Sequence, residues 1–241
     1  MEYNFITWNM QGASEDEDGF IMKRAVLQSN LVPDALNIIA LQEVGSPESS
    51  PLLLEGIRNG KVTIKNTIKS YNFKVGYIED QMAKQRGLRC TEMLLVEDVV
   101  GVTISKFGTL PLGGGTRPLL YATVHAGDKG ILFGCKHAIA DSSQAVLEVK
   151  QDIAELIKSK CNFIIGGDFN CNHTNFASLE SKGIYVYTDG KPTQGVRFKP
   201  KTNLYDYFIS NIKLIRDHYH ESSGAESLSS DHNPAVLQFE L

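Results

Sequence analysis

Short apolar runs in this chain keep stopping in the same way. "FITWN" closes on Asn9, "IIALQE" on Glu43, "FGCKH" on His137, and "FIIGGDFN" on Asp168 and Asn170. "YDYF" opens a run with Asp206, and "SSDHNP" places Asp231 and His232 just before the last one. Runs that are apolar throughout and bounded by turn residues read as strands buried on both faces. Such strands need a layer on each side, so the pattern asks for stacked sheets with helices outside. In layered α/β folds the strand ends share a rim, and clefts form there. A polar residue at one strand end is ordinarily a turn or cap. The same at six strands points to a common cavity, with the glycines of "FIIGGDFN" allowing close backbone approach.

The rest of the chain fits two sheets better than a regular βαβ alternation. "YNFITW" alternates and reads as a strand; "YNFKVGYI", "TEMLLVE", "VVGVTIS", "YDYFIS" and "AVLQFE" follow as others. "LLYATVHA" and "ILFGCKHAIA" flank "GDKG" as a hairpin. One helix carries Ile21, Arg24/Ala25, Leu27/Gln28 and Leu31 at helical spacing and stops at Pro33. The clearest helix is "SSQAVLEVKQDIAELIKSK", with Val146, Val149, Ile153, Leu156 and Ile157 on one face and Ser142 or Ser143 as cap. A short helix is expected near Phe176 to Ser181, and the segment from Leu52 to Ser70 is ambiguous. About ten to twelve strands and three or four helices result, in one domain spanning 1–241.

Composition removes several alternatives. The 241 residues are 42% apolar, enough for a substantial core, and carry a net charge of −4. The pI near 5.9 leaves no basic footprint, so an anionic ligand must be met by a local basic patch or a cation. No apolar stretch is long enough for a membrane span. The start "MEYNFITWN" shows no signal peptide, although a processed start would look the same, and the compartment stays open. Cys90, Cys135, Cys161 and Cys171 form no CxxC pair; Cys135 and Cys161 read as core thiols. Cys171 and His173 lack the second half of a soft-metal site. "LPLGGGTRP" lacks the Lys-Ser/Thr ending of a phosphate-binding loop and reads as a turn. His125, His218 and His220 read as packing or surface residues.

The strand-end residues make chemical sense together. Glu43, Asp231 and Asn9 are hard oxygen ligands suited to Mg²⁺. Asp206 can orient His232 and stabilise its charged form. His137 supplies a second imidazole, and Asn170 can donate to a phosphoryl oxygen. A hard cation, a base, an acid and amide donors are what phosphoester hydrolysis requires, because charge builds on the phosphorus oxygens as water attacks.

Taken in order, "TWNMQG", "LQEVGS", "KHA", "GGDFN", "YDYF" and "SDHNP" resemble the endonuclease/exonuclease/phosphatase superfamily, whose archetype is deoxyribonuclease I. The likeness runs from Thr7 to Pro234. "TWNMQGAS", "QEVGSPESS", "TRP" and "HAIADSSQAV" are most similar to the nuclease subunit of cytolethal distending toxin. The resemblance implies a four-layer α/β sandwich with two central, mostly antiparallel sheets. It implies Glu43 as the main metal carboxylate, with Asn9 and Asp231 near the ion. Mg²⁺ is the implied cofactor, with Mn²⁺ or Ca²⁺ able to substitute. It further implies His232 as general base oriented by Asp206, His137 as general acid, and Glu92 as that histidine's partner. Asp168 and Asn170 bind and orient phosphate and water, and Asp168 is the alternative base. Arg117 and Arg89 contact phosphate.

The implied activity is a DNA endonuclease of low sequence specificity that grips the phosphate backbone. Toxin delivery subunits and action in a host nucleus are further implications. A phosphoinositide phosphatase or sphingomyelinase-like hydrolase is the alternative. The "WCDR" and "NYR" stretches of inositol-phosphate phosphatases are replaced here by "YDYF" and "GGDFNCNH". A catalytically silent binding module is the remaining reading; it predicts loss of part of the set, and every member is present.

Overall fold

The structure, a computed structural model, describes residues 1–11, 17–44, 60–79, 91–110, 117–127, 129–194, 202–221 and 232–241. Arg89, Asp231, Cys90 and the glycines of the "LPLGGGTRP" loop lie outside them.

Two crossovers organise the chain. β1 (Glu2–Asn9) leads through α1 (Glu17–Ser29) to β2 (Leu36–Gln42), which pairs parallel to β1. β9 (Lys129–His137) leads through α2 (Ser142–Lys158) to β10 (Asn162–Asp168), again parallel. Every other strand pairing among the described residues is antiparallel.

Around the first pair stand β3 (Lys61–Lys65), β4 (Ser70–Glu79), β5 (Thr91–Glu97), β13 (Ile215–Glu221) and β14 (Ala235–Glu240), in the order β13-β14-β1-β2-β5-β4-β3. Around the second stand β6 (Val102–Ile104), β8 (Leu119–Ala126), β11 (Tyr185–Tyr187) and β12 (Asp206–Ser210), in the order β11-β12-β10-β9-β8-β6, with β7 (Gly108–Leu110) also on β8. A 3-10 helix, His173–Lys182, follows β10.

Three apolar layers fix the sandwich. Phe5, Ile38, Leu94, Phe133, Cys135, Ile164 and Phe208 fill the space between the sheets. Leu27 and Leu31 at the end of α1 pack on Trp8, Leu41 and Met93. Ala145, Val149, Ile153 and Leu156 of α2 pack on Phe163, Ile165 and Tyr207. The result is the four-layer α/β sandwich expected from the sequence.

The structure corrects several details. β1 does not alternate: all but its first residue are buried, and Asn4 survives there by donating to Asn37 Oδ1 and Asn30 O, each at 2.8 Å. In α1, Ile21 is exposed and Lys23 is buried, its Nζ donating to the Met10 carbonyl. In α2, Ile157 is exposed and Glu148 and Asp152 are buried instead. The α2 cap is Asp141 rather than a serine, accepting from the Ser143 and Gln144 amides at 3.0 and 3.1 Å. Cys135 is a core thiol as expected, but Cys161 is only half-buried.

Glycines set the sheet-to-sheet and strand-to-strand approach in β10. A Cβ on Gly166 would stand 2.9 Å from the Phe208 ring and 3.1 Å from that of Phe5, and one on Gly167 only 2.1 Å from the Lys136 carbonyl oxygen. The close approach inferred for "FIIGGDFN" therefore has identified neighbours on both sides.

Candidate active site

Strand direction delivers the polar residues to one rim. Asn9, His137 and Asp168 end β1, β9 and β10, and Glu43 follows β2, so all four stand at the carboxyl ends of the parallel pairs. Glu92, Asp206 and His232 lie near the starts of β5, β12 and β14, which run the other way and so reach the same rim. Register then sets His137, Asp168 and Asp206 side by side on three neighbouring strands. Glu43 and Asn170 adopt left-handed backbone, with φ of 53° and 48°. This turns the chain abruptly just past each strand and is costly for a residue with a Cβ.

Asp168 Oδ2 is the hub. Asn9 Nδ2 donates to it at 2.9 Å, while His137 Nε2 lies 3.7 Å and His232 Nε2 3.8 Å away. Asp168 Oδ1 accepts from the Asn170 backbone N–H at 3.0 Å. Glu43 Oε1 lies 3.5 Å from the same His137 Nε2. His232 Nδ1 donates to Asp206 Oδ2 at 2.7 Å, which leaves Nε2 facing Asp168. On the far side of His137, Arg117 Nη1 and Asn170 Nδ2 both donate to the Ala138 carbonyl, at 3.1 and 2.8 Å.

Unmarked residues hold this set in place. Thr193 Oγ1 accepts from the Tyr205 and Asp206 amides at 3.1 and 3.0 Å, and its carbonyl accepts from Asn233 N at 2.9 Å. It thereby ties the Asp206 and His232 segments together. Trp8 Nε1 donates to the His232 carbonyl at 3.1 Å, fixing it to β1. Neither role had a signal in the sequence: "KPTQG" matches no motif, and Trp8 reads simply as core.

Burial governs the electrostatics. Desolvation raises Asp168 to about 6; Asp206 opposite adds to this, while His232 and the bonds from Asn9 and Asn170 oppose it. Burial, and then the positive charges of Arg117, His232 and Lys136, hold His137 well below the ordinary histidine range. Glu92 is raised to about 8, chiefly by desolvation, against the pull of Lys136 and Arg117. Its carboxyl meets the His137 backbone N–H rather than the ring, and both Glu92 Oε2 and His137 Nδ1 are buried without hydrogen-bond partners.

Among the described residues, Asp168, Asp206 and His232 offer ligand atoms all within 4.8 Å of one another. Asp206 Oδ1, buried without a partner, marks the same place. Glu43 adds a half-buried carboxylate beside His137. Carboxylate oxygens with one imidazole suit a hard or borderline divalent cation. Asn9 turns its amide nitrogen to Asp168, and its Oδ1 accepts from Gln11 N at 3.2 Å. Cys171 and His173 enter no such cluster among the described residues. His125 is exposed on β8, and His218 and His220 stack on β13 with ring centroids 5.5 Å apart. No helix among the described residues is long and apolar enough to cross a membrane.

The same architecture recurs in solved structures. TDP2 from Caenorhabditis elegans superimposes with a TM-score of 0.69 at 14% identity, covering 100% of this chain and 75% of that one. The Haemophilus ducreyi cytolethal distending toxin gives 0.61 at 18% identity, over 98% of this chain and 97% of that one. An endonuclease/exonuclease/phosphatase family protein from Leptotrichia buccalis gives 0.65 at 14% identity, over 99% and 100%. No curated protein sequence matches the chain significantly. A family profile described as "Endonuclease/Exonuclease/phosphatase family" matches residues 6–232. That span runs from inside β1 to His232 and includes every strand-end residue described above, and the chain belongs to the endonuclease/exonuclease/phosphatase family.

Proposed function

We propose that this chain is a divalent-cation-dependent phosphodiesterase that acts as a DNA endonuclease of low sequence specificity. The observation that carries the reading is the convergence of Asn9, His137 and His232 on one oxygen of Asp168, with Glu43 beside His137. Two imidazoles facing a carboxylate from two different sheets provide a base and an acid across one cavity.

In this reading His232 Nε2 takes the proton of the attacking water. The Asp206 bond at Nδ1 fixes the tautomer and stabilises the imidazolium that forms. Asp168 orients that water, or receives its proton instead. His137, neutral in the free protein, gains proton affinity as a phosphoryl anion enters beside it, and then protonates the leaving oxygen. Glu92 stands as the buried acid behind it. Arg117 and Asn170, already gathered at the Ala138 carbonyl, grip phosphate oxygens, with Arg89 as a second cation. Glu43, with Asn9 and Asp231 beside it, would hold the cation, which keeps Asp168, Asp206 and His232 for orienting water and moving its proton. A bound Mg²⁺, or Mn²⁺ or Ca²⁺ in its place, supplies positive charge to the developing oxyanion and acidifies water. Low specificity follows from the lack of a recognised base-reading element in the sequence.

The test is nicking of supercoiled plasmid with Mg²⁺ and with EDTA, run beside phosphate release from phosphoinositides. Nicking that stops with EDTA and with either His137→Ala or His232→Ala supports the proposal. Release of lipid phosphate without nicking moves the substrate to the alternative class. Nicking that survives both substitutions removes the mechanism.

A further inference from the structure

Behind the site lies a charged group that the proposed reaction leaves unused. Successive side chains of a strand face opposite ways, so His137 faces the rim cavity and Lys136 faces α2. There Lys136 Nζ, on a side chain 1% exposed, sits 2.5 Å from Glu148 Oε1 and 3.0 Å from Asp152 Oδ2. These three charges interrupt a layer otherwise packed with Ala145, Val149, Ile153 and Leu156. Apolar residues of similar volume would fill it at least as stably, because burying ions costs most of what their attraction returns.

What the group does hold is backbone. Lys136 Nζ donates to the Arg117 carbonyl at 2.5 Å, and Glu148 Oε2 accepts from the Ile139 N–H at 3.2 Å. Between those two points lies Ala138, whose carbonyl receives both Arg117 Nη1 and Asn170 Nδ2. The Ala138 N–H in turn donates to the Asp168 carbonyl at 2.9 Å. Arg117 is thus held at both ends: its main chain by Lys136, its guanidinium by Ala138. The turn that carries Ala138 is pinned from behind by Glu148.

We infer that Lys136, Glu148 and Asp152 are positioning residues whose ion group sets where the Arg117 guanidinium and the Asn170 amide stand, and thereby the affinity of the site for a phosphoryl anion. The affinity half rests on the phosphodiesterase reading; the placement half does not.

The test compares the native chain with three variants: Lys136→Met/Glu148→Gln/Asp152→Asn, Arg117→Ala, and the two combined. The triple substitution removes all three charges at once and strands none. The probes are bis(p-nitrophenyl) phosphate with Mg²⁺, and inorganic phosphate as competitor. Loss of one charge-assisted contact weakens binding about tenfold or more, so the triple variant is expected to raise KM and the phosphate inhibition constant by that factor. The kcat at its own pH optimum stays near native, while the optimum itself moves, because Lys136 is one of the charges that hold His137 down. In the Arg117→Ala background the triple substitution costs little more, because the two act through the same contact. A folded triple variant with native phosphate affinity overturns the inference. So does an equal loss with and without Arg117.

Should the triple variant fail to fold, Glu148→Gln keeps the shape and an acceptor. A smaller rise in KM supports the inference, and no change overturns it. Placement is read without substrate by nitrogen NMR of the Arg117 guanidinium. Hindered rotation in the native chain that is released in the charge-free variant supports the inference; rotation equally hindered in both refutes it. If the native chain neither cleaves nor binds phosphate, the phosphodiesterase reading falls, and the NMR comparison still decides placement.

Discussion

Glu92 offers a sharp test of how burial governs this site. The residue is 4% exposed at the start of β5, and one of its carboxyl oxygens is buried with no partner. Burial lifts it from the ordinary 4.5 to about 8, despite Lys136 and Arg117 nearby. Below about pH 4.5 the folded and unfolded chains both hold this proton. Between about 4.5 and 8 the unfolded chain has released it while the folded chain keeps it, so stability falls as pH rises. At about 1.4 kcal/mol per pH unit, the loss is about 3 kcal/mol by pH 7, about 4 kcal/mol at pH 8 where the folded chain is half ionised, and levels at about 5 kcal/mol a pH unit or more higher. Above that both states are ionised, and the penalty stays constant. Glu92→Gln keeps the shape and has no proton to lose. Any cost of its buried amide is the same at every pH, so the diagnostic is the change in the gap between the two chains. Urea unfolding at pH 4.5, 7 and 8.5 measures it. The variant should gain on the native chain by about 3 kcal/mol from the first pH to the second. A gap that stays constant or narrows with pH refutes the assignment of Glu92 as a desolvated, neutral acid.

Other substitutions probe separate parts of the molecule. Asp206→Asn should leave the melting temperature near native and lower kcat for plasmid nicking by about a hundredfold, because His232 loses the carboxylate that stabilises its protonated form; unchanged turnover would exclude the pair as base. Gly167→Ala places a methyl against the Lys136 carbonyl and should cost about 3 kcal/mol or more in chemical denaturation. Asp141→Ala removes the α2 cap and should lower the denaturant midpoint in the same assay; an unchanged midpoint would show that the cap is idle. Lys136→Met alone leaves Glu148 and Asp152 buried beside each other and should destabilise by about 3 to 5 kcal/mol, clearly more than the charge-free triple variant.

The rim residues were legible because each stands where an apolar run breaks off, and a break in pattern survives without knowledge of the fold. The Asp206–His232 pair is legible as an acid able to orient an imidazole, and the order of the motifs through the family likeness. Buried polar residues inside the layers were not. Asn4 reads as the polar face of an alternating strand, yet it is satisfied by Asn37 and Asn30, more than twenty positions away. Lys23, Lys136, Glu148 and Asp152 give no sign of their burial, because a charge in a sequence carries no mark of the opposite charge that folding brings to it. Thr193 is similarly silent: its hydroxyl matters only because the Tyr205 and Asp206 amides turn toward it. Periodicity reports what water avoids; it does not report what a polar group will find.

β1 lies between β2 and β14, and the Trp8 indole holds the carbonyl of His232. On the ribosome β1 therefore waits for Ala235–Glu240 to emerge before its second neighbour arrives. Until then a long apolar strand has one bare edge, which is a template for association between nascent chains. The imidazole at position 232, which the proposed hydrolysis requires, is also still missing at that stage. A chain halted before His232 therefore keeps that edge bare and lacks the base of the proposed reaction.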